Sequence, residues 1–179
     1  MPTTDTQGLF LRELSDIYDA EHRFLEGQQE MVQEATDQEL EKAIREHIEQ
    51  TRLHIRNLEQ VFEQLSWQPQ RQTSEVAQGL VSKAQRDIQE AQGDALRDCA
   101  INAAVIRVEH FEVGSYRSLV TEARQMLQSE IVDLLQQNLR QEEETARIAE
   151  RSAPELLQKA RQAEEESLID KAKDKLQGR

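Results

Sequence analysis

In four long stretches of this chain, apolar residues recur at alternating spacings of four and three. The first runs through Leu14, Tyr18, Leu25 and Val32. The second runs through Leu40, Ile44, Leu58, Val61 and Leu65. The third holds Ile101, Val105, Val108 and Leu119, and the fourth Ile131, Leu135 and Ala149. Such spacing puts one stripe on each helix and obliges the helices to pack stripe to stripe. The chain has few of the residues that strands and tight turns need, with 6 Gly, 3 Pro and 4% aromatics in 179 residues. The expected fold is all-α, and the length suits one domain.

Helix-breaking and capping residues divide the chain. A first helix is expected from Asp5 or Thr6 to about Ala35. Thr36, three residues before Glu39, has the spacing of a capping box, so a second helix should run from about Asp37 to Ser66. The segment Trp67–Thr73 reads as a loop. Ser74 can cap a shorter helix reaching about Gln92. Gly93-Asp94 starts a third long helix ending near Met126, and Ser129 a fourth to about Ser152. Two hairpins, 5–66 and 94–152, are thus joined by one long crossover at about 74–92. That connectivity is the ferritin-like form of the four-helix bundle, with a domain over 1–153. Pro154 is placed to open a separate charged segment, 154–179, which is either a C-terminal helix or a fraying tail.

Ionisable residues interrupt the apolar stripes. Glu21, His47, His54, Glu112 and Glu142 stand where apolar residues belong. Glu21 lies fifteen residues before the turn at Thr36, and Thr51, between the two histidines, lies fifteen after it. Glu112 and Glu142 flank a turn near 127 by the same interval. At about 1.5 Å per residue, each hairpin carries its polar residues about 22 Å from its turn. Two hairpins packed as a pseudo-symmetric pair bring these levels together. A short echo, Ala20-Glu21-His22 against Val108-Glu109-His110, supports that pairing. Buried carboxylates at one level repel each other and cost several kcal/mol unless protonated or neutralised by a cation. Carboxylates with imidazoles suit iron, manganese or zinc. The strict Glu-x-x-His spacing of di-metal bundles is absent.

Other chemistries are disfavoured. With 22 basic and 35 acidic residues the formal charge is −13, which repels phosphate, and no basic patch offers a nucleic-acid surface. No run of 18 apolar residues suggests a membrane span, and the first residues do not read as a secretory signal, so a cytoplasmic location is expected. A lone cysteine, Cys99, excludes an internal disulfide and reads as a small core residue. No Ser-His-Asp, P-loop or dinucleotide fingerprint appears.

Several stretches together resemble the YciE/YciF-like family of bacterial ferritin-like, rubrerythrin-like stress proteins. They are Leu14-Ser-Asp-Ile-Tyr-Asp-Ala-Glu21, His47-Ile-Glu-Gln-Thr-Arg-Leu-His54, Arg56-Asn-Leu-Glu59 with Val61-Phe62, Arg97-Asp-Cys-Ala-Ile101, Val108-Glu-His-Phe-Glu-Val-Gly-Ser-Tyr116 and Leu139-Arg-Gln-Glu142. The likeness spans about residues 8–153. It implies a rubrerythrin-like four-helix fold, commonly dimeric, with a metal site between the helices. By matching position it implies Glu21, His47, Glu109, Glu112 and Glu142 as ligands, with His54 as a further candidate. Gln50 stands where a Glu is frequent in the family and Ala146 where an Asp is frequent, and Ser82-Lys83-Ala84 replaces a segment that usually carries an acid. Fewer anionic ligands mean weaker binding, or one metal ion in place of two.

The expectation is therefore a stress-response protein, a homodimer, whose bundle holds iron or manganese and handles oxygen or peroxide. Glu112 and Glu142 would bridge or clamp the metal, Glu21 and Glu109 would be terminal carboxylates, and His47 or His54 would supply the imidazole. The competing expectation is a metal-free helical dimer acting as a structural or interaction protein. An apolipoprotein-like coat fits less well, because the polar residues are confined to one level.

Overall fold

The computed structural model describes residues 5–126 and 128–177 and is all-α, with five helices. They are α1 (Thr6–Glu34), α2 (Gln38–Gln64), α3 (Glu75–Glu90), α4 (Asp94–Gln125) and α5 (Ser129–Gln177). The hairpin pairs α1/α2 and α4/α5 pack α1 on α4 and α2 on α5, and α3 crosses over α1 and α4. This is the ferritin-like arrangement expected from the chain order.

Local chemistry accounts for most boundaries. The Asp5 carboxylate caps α1 by accepting from the Gly8 N–H at 2.7 Å. The cap of α2 is Asp37, one residue after the expected Thr36; its carboxylate accepts from the N–H groups of Glu39 and Leu40. Thr36 is engaged elsewhere, because its hydroxyl and N–H both donate to Asp98 at 2.7 and 2.8 Å. At the far end of α2, Ser66 takes φ 55, the Ser66 N–H donates to Glu63 O and the Trp67 N–H donates to Phe62 O. That pair of bonds is a Schellman closure, here with serine in the left-handed position usually held by glycine. Ser74 caps α3 as expected. Gly93, with φ 97, makes the bend into α4 that a residue with a Cβ would resist. At the start of α5 the Gln128 carbonyl accepts from the Val132 N–H at 3.1 Å.

Pro154 does not open a separate segment. It lies inside α5, a helix of 49 residues. A proline within a helix costs on the order of 3 kcal/mol, and tertiary contacts just beyond it offset that cost. Leu156 and Ala160 are buried, Leu156 against the cluster of Met31, Leu40 and Ile44. Lys159 Nζ reaches Asp37 Oδ2 at 2.7 Å. From Arg161 to Asp174 α5 is exposed on all sides.

Two apolar clusters fill the bundle. One holds Phe10, Leu14, Phe24, Leu58, Phe62, Leu119 and Leu135, the other Met31, Ile44, Ile48, Ile101 and Leu156. The ionisable residues of the stripes lie between them. Asp98 fixes the relation of the hairpins by accepting three hydrogen bonds from Thr36 and Asp37 at the α1–α2 turn. The α1–α2 turn therefore sits beside the start of α4, and the two hairpin turns occupy opposite ends. Asp98→Ala leaves the part-buried donors of Thr36 and Asp37 without a charged acceptor and is expected to cost about 1–3 kcal/mol in urea unfolding.

Candidate metal centre

Six buried ionisable side chains meet between the two clusters: Glu21 from α1, His47 and His54 from α2, Glu109 and Glu112 from α4, and Glu142 from α5. None is more than 4% exposed. They form two overlapping groups. His47, Glu109, Glu112 and Glu142 each offer one ligand atom within 4.8 Å of all the others, and so do Glu21, His54 and Glu142. Glu142 belongs to both. Equal spacing from the two turns therefore does converge in space, and Glu109, one turn before Glu112 on α4, joins it. His22 and His110 stay outside. His110 is exposed and pairs with Glu150 at 2.7 Å, while His22 stands edge-on to the Tyr18 ring.

The atoms are close but poorly paired. His54 Nδ1 lies 2.7 Å from Glu142 Oε1 and 3.5 Å from Glu21 Oε1. His47 Nε2 lies 3.0 Å from Glu109 Oε1 and 3.9 Å from Glu142 Oε2. Yet both ring nitrogens lack an aligned hydrogen bond, as do Glu21 Oε2, Glu109 Oε2 and both oxygens of Glu112 and of Glu142. Nearly all buried polar groups in folded proteins find a partner. Here the orphans share one small volume and their lone pairs converge on it.

The outer nitrogens of the imidazoles are held. His47 Nδ1 lies 3.2 Å from Gln50 Oε1. His54 Nε2 lies 2.9 Å from Gln141 Oε1. An amide oxygen can only accept, so each neutral ring donates outward and turns a bare lone pair inward, the state a metal requires. Gln50 thus orients His47. Neither glutamine could be recognised as such from stripe spacing, since both are half-buried and off the apolar positions. Gln141→Leu is expected to weaken manganese binding 10–100-fold, measured by titration calorimetry, without altering the helical content.

The remaining support is polar. The Tyr116 hydroxyl donates to Glu21 Oε1 and accepts from Asn138 Nδ2 at 3.0 Å, and Asn57 Nδ2 donates to Asn138 Oδ1 at 2.7 Å. Tyr18 does not reach the centre and donates instead to Glu59 at 3.0 Å. Asp16 accepts from the Ser74 hydroxyl at 3.1 Å, outside the centre. Cys99 packs beside the second apolar cluster, with burial raising its thiol pKa. Ala146, one turn after Glu142, is buried and supplies no ligand.

Burial and mutual repulsion set the charge state of the metal-free centre. Burial raises Glu112 well above the carboxylate range, and Glu142, Glu21 and Glu109 add to it. Burial lifts Glu109 to about 8 against the pull of His47. Glu21 is raised by burial, which outweighs His54. Burial opposes the charged form of His47, but Glu109 and Glu142 carry its pKa to about 9. His54 is likewise disfavoured by burial, yet Glu21 and Glu142 carry it to about 11. Glu142 falls to about 2, because its two histidines outweigh its burial. In the metal-free centre the two imidazoles are drawn to the charged form around an ionised Glu142, and Glu112 keeps its proton.

The family model for a domain of unknown function, DUF892, matches residues 5–162. Protein YciF of Escherichia coli (strain K12) is 30% identical over 140 residues, covering 78% of this chain and 84% of that protein. The crystal structure of the Escherichia coli stress protein YciF matches with a TM-score of 0.83 at 27% identity, over 87% of this chain and 99% of that one. YcfI from Rhodopseudomonas palustris, described provisionally as a structural protein, matches with a TM-score of 0.81 at 29% identity, over 83% and 94%. A family match across the whole bundle and its centre, joined to these likenesses in sequence and fold, makes this chain a member of the DUF892 family and a homologue of the stress protein YciF.

Proposed function

We propose that this protein is a stress-response metalloprotein that binds iron or manganese, as one or two ions, in the carboxylate and imidazole cluster of its bundle. The observation that carries this reading is the set of unpartnered atoms: a fully buried cluster in which Glu112 and Glu142 each leave both oxygens without a hydrogen bond. A donor set of carboxylates and nitrogens, without thiolates, suits these two metals. Glu142 lies in both groups and would serve either ion. Glu112 and Glu109 with His47 would hold one, and Glu21 with His54 the other. When bound, such a metal supplies electron transfer to dioxygen or peroxide. The protein's own part is to orient the imidazoles through Gln50 and Gln141, to steady Glu21 through Tyr116, and to keep bulk water out with apolar layers above and below.

The test is metal content. Protein loaded with ferrous iron or manganese and then desalted is expected to retain at least one equivalent, and Glu112→Gln to retain less than a tenth of that. Retention of none by the parent protein defeats the reading. The second reading, a metal-free structural or interaction protein in stress tolerance, is favoured by Gln50 and Ala146, which withhold two acids from the site. The partner we assign is a second copy of the chain, in keeping with the family resemblance and with Leu168 and Ile169 exposed along the free part of α5. Light scattering checks it.

A further inference from the structure

Beside the centre the bundle interior is not fully packed. A cavity of about 50 Å³ begins at His47 and Glu109 and extends toward the α1–α2 turn. All five helices wall it, with Phe24, Met31, Ile44, Val81, Val108 and Ile148 supplying apolar surface. The amides and hydroxyls on its border are engaged elsewhere, Ser152 among them, whose hydroxyl donates to Ile148 O at 3.0 Å. Gln28 and Thr51 exchange hydrogen bonds at 3.1 Å, Asn102 Nδ2 donates to Ala149 O at 3.0 Å, and the Thr145 hydroxyl donates to Gln141 O at 3.1 Å. At the α2–α5 edge Ala43 and Ser152 are partly exposed and Ile148 is 39% exposed, so this edge is the thinnest wall.

Size does not keep water out, since about 10–15 Å³ of such volume holds one. Chemistry does. A buried water needs two to four polar partners, and away from the His47–Glu109 end the polar side chains on the walls, Gln28, Asn102, Thr145 and Ser152, already hydrogen-bond to the protein. A peroxide molecule carries more hydrogen-bonding groups than water and is served worse. A small apolar molecule loses nothing there and gains dispersion contacts.

We infer that this cavity is a binding pocket for a small apolar molecule of dioxygen's size, held against the His47 and Glu109 face of the centre. The pocket stands on packing alone, and only its use in delivering dioxygen rests on the metal reading proposed above. Crystals of the metal-free protein held under pressurised xenon test it. One xenon atom is expected among Phe24, Ile44, Val108 and Ala149. Ala149→Leu, which fills the cavity, is expected to remove it, and Val105→Phe serves if the first variant does not fold. Both variants are expected to bind manganese within about twofold of the parent. In ferrous-loaded protein, oxidation by dioxygen is expected to slow at least tenfold in either variant. Ordered water in the cavity, absence of xenon, or xenon that persists in the filled variants overturns the pocket. Unchanged oxidation in both filled variants overturns its use in delivery. Xenon bound by a protein that retains no metal upholds the pocket and defeats the metal reading alone.

Discussion

Glu142→Gln is expected to destabilise the metal-free protein by about 3–5 kcal/mol, whereas Glu112→Gln should leave it within about 1 kcal/mol of the parent. Two buried glutamates on facing helices thus differ sharply before any metal is added. Glu142 is the anion between two imidazoliums, 2.7 Å from His54 and 3.9 Å from His47. Removing its charge leaves two buried cations facing an amide, and breaking a buried pair from one side costs far more than the pair contributes. Glu112 has no cation of its own, and burial with three acid neighbours keeps it protonated. A neutral amide of the same shape replaces a neutral acid there. Urea unfolding at pH 7 in chelator reads both. For a chain of this length the Glu142 change corresponds to a fall in Tm of roughly 10 °C. Metal uptake sorts them differently, since both variants are expected to lose it. A Glu112→Gln protein as unstable as Glu142→Gln would mean that Glu112 is ionised and paired in the metal-free state, contrary to its surroundings.

The bundle could be read from sequence because its signal is repeated. Four apolar stripes, Ser74 before α3 and Gly93 before α4 all point to the same arrangement. The level of the centre followed from counting, because a helix rises by a fixed amount per residue, so Glu21, Glu112 and Glu142 at matched distances from their turns meet wherever the hairpins pack side by side. What escaped was decided by single contacts. Thr36 and Asp37 are both good caps, and Asp98, 62 residues beyond Thr36, settles the choice by engaging it. Pro154 is a helix breaker by its own chemistry, but Leu156 and Ala160 have a core to bury into and the helix continues. Gln50 and Gln141 carry no signal in a stripe, since their role is defined by an imidazole nitrogen that spacing cannot see. The charge state of the centre was equally hidden, because it depends on which acid stands nearest both histidines.

The stability of the metal-free protein is expected to decline as pH rises from about 5 to 9, the reverse of a protein stabilised by surface carboxylate pairs. The sign follows from each group. His47 and His54 have folded pKa values of about 9 and about 11, above their ordinary 6.5. Their contributions are complete below pH 6.5 and are lost as pH climbs through those values. Glu109, raised from 4.5 to about 8, keeps its proton in the folded protein while the unfolded chain gives it up, so it too favours folding less as pH rises from 4.5 to 8. Glu112 and Glu21, raised by burial, act in the same sense. Within the centre Glu142 opposes them: its pKa of about 2 gives stability that is complete above 4.5 and lost as pH falls through 2. Outside it His22, lowered by burial, opposes them only below its ordinary 6.5. A net excess of one proton held by the folded state gives a slope of about 1.4 kcal/mol per pH unit. Metal reverses the slope. To bind, it must displace protons from both imidazoles and from the raised acids, so its stabilisation should be small at pH 5 and grow toward pH 8. Thermal unfolding across that range, with chelator or with excess manganese, should give curves that diverge upward in pH. Calorimetry in buffers of different ionisation enthalpy should count at least two protons released per ion bound at pH 7. A metal-free protein whose stability rises through this range would show that the acids are ionised without metal and that the centre is a charged network complete in itself.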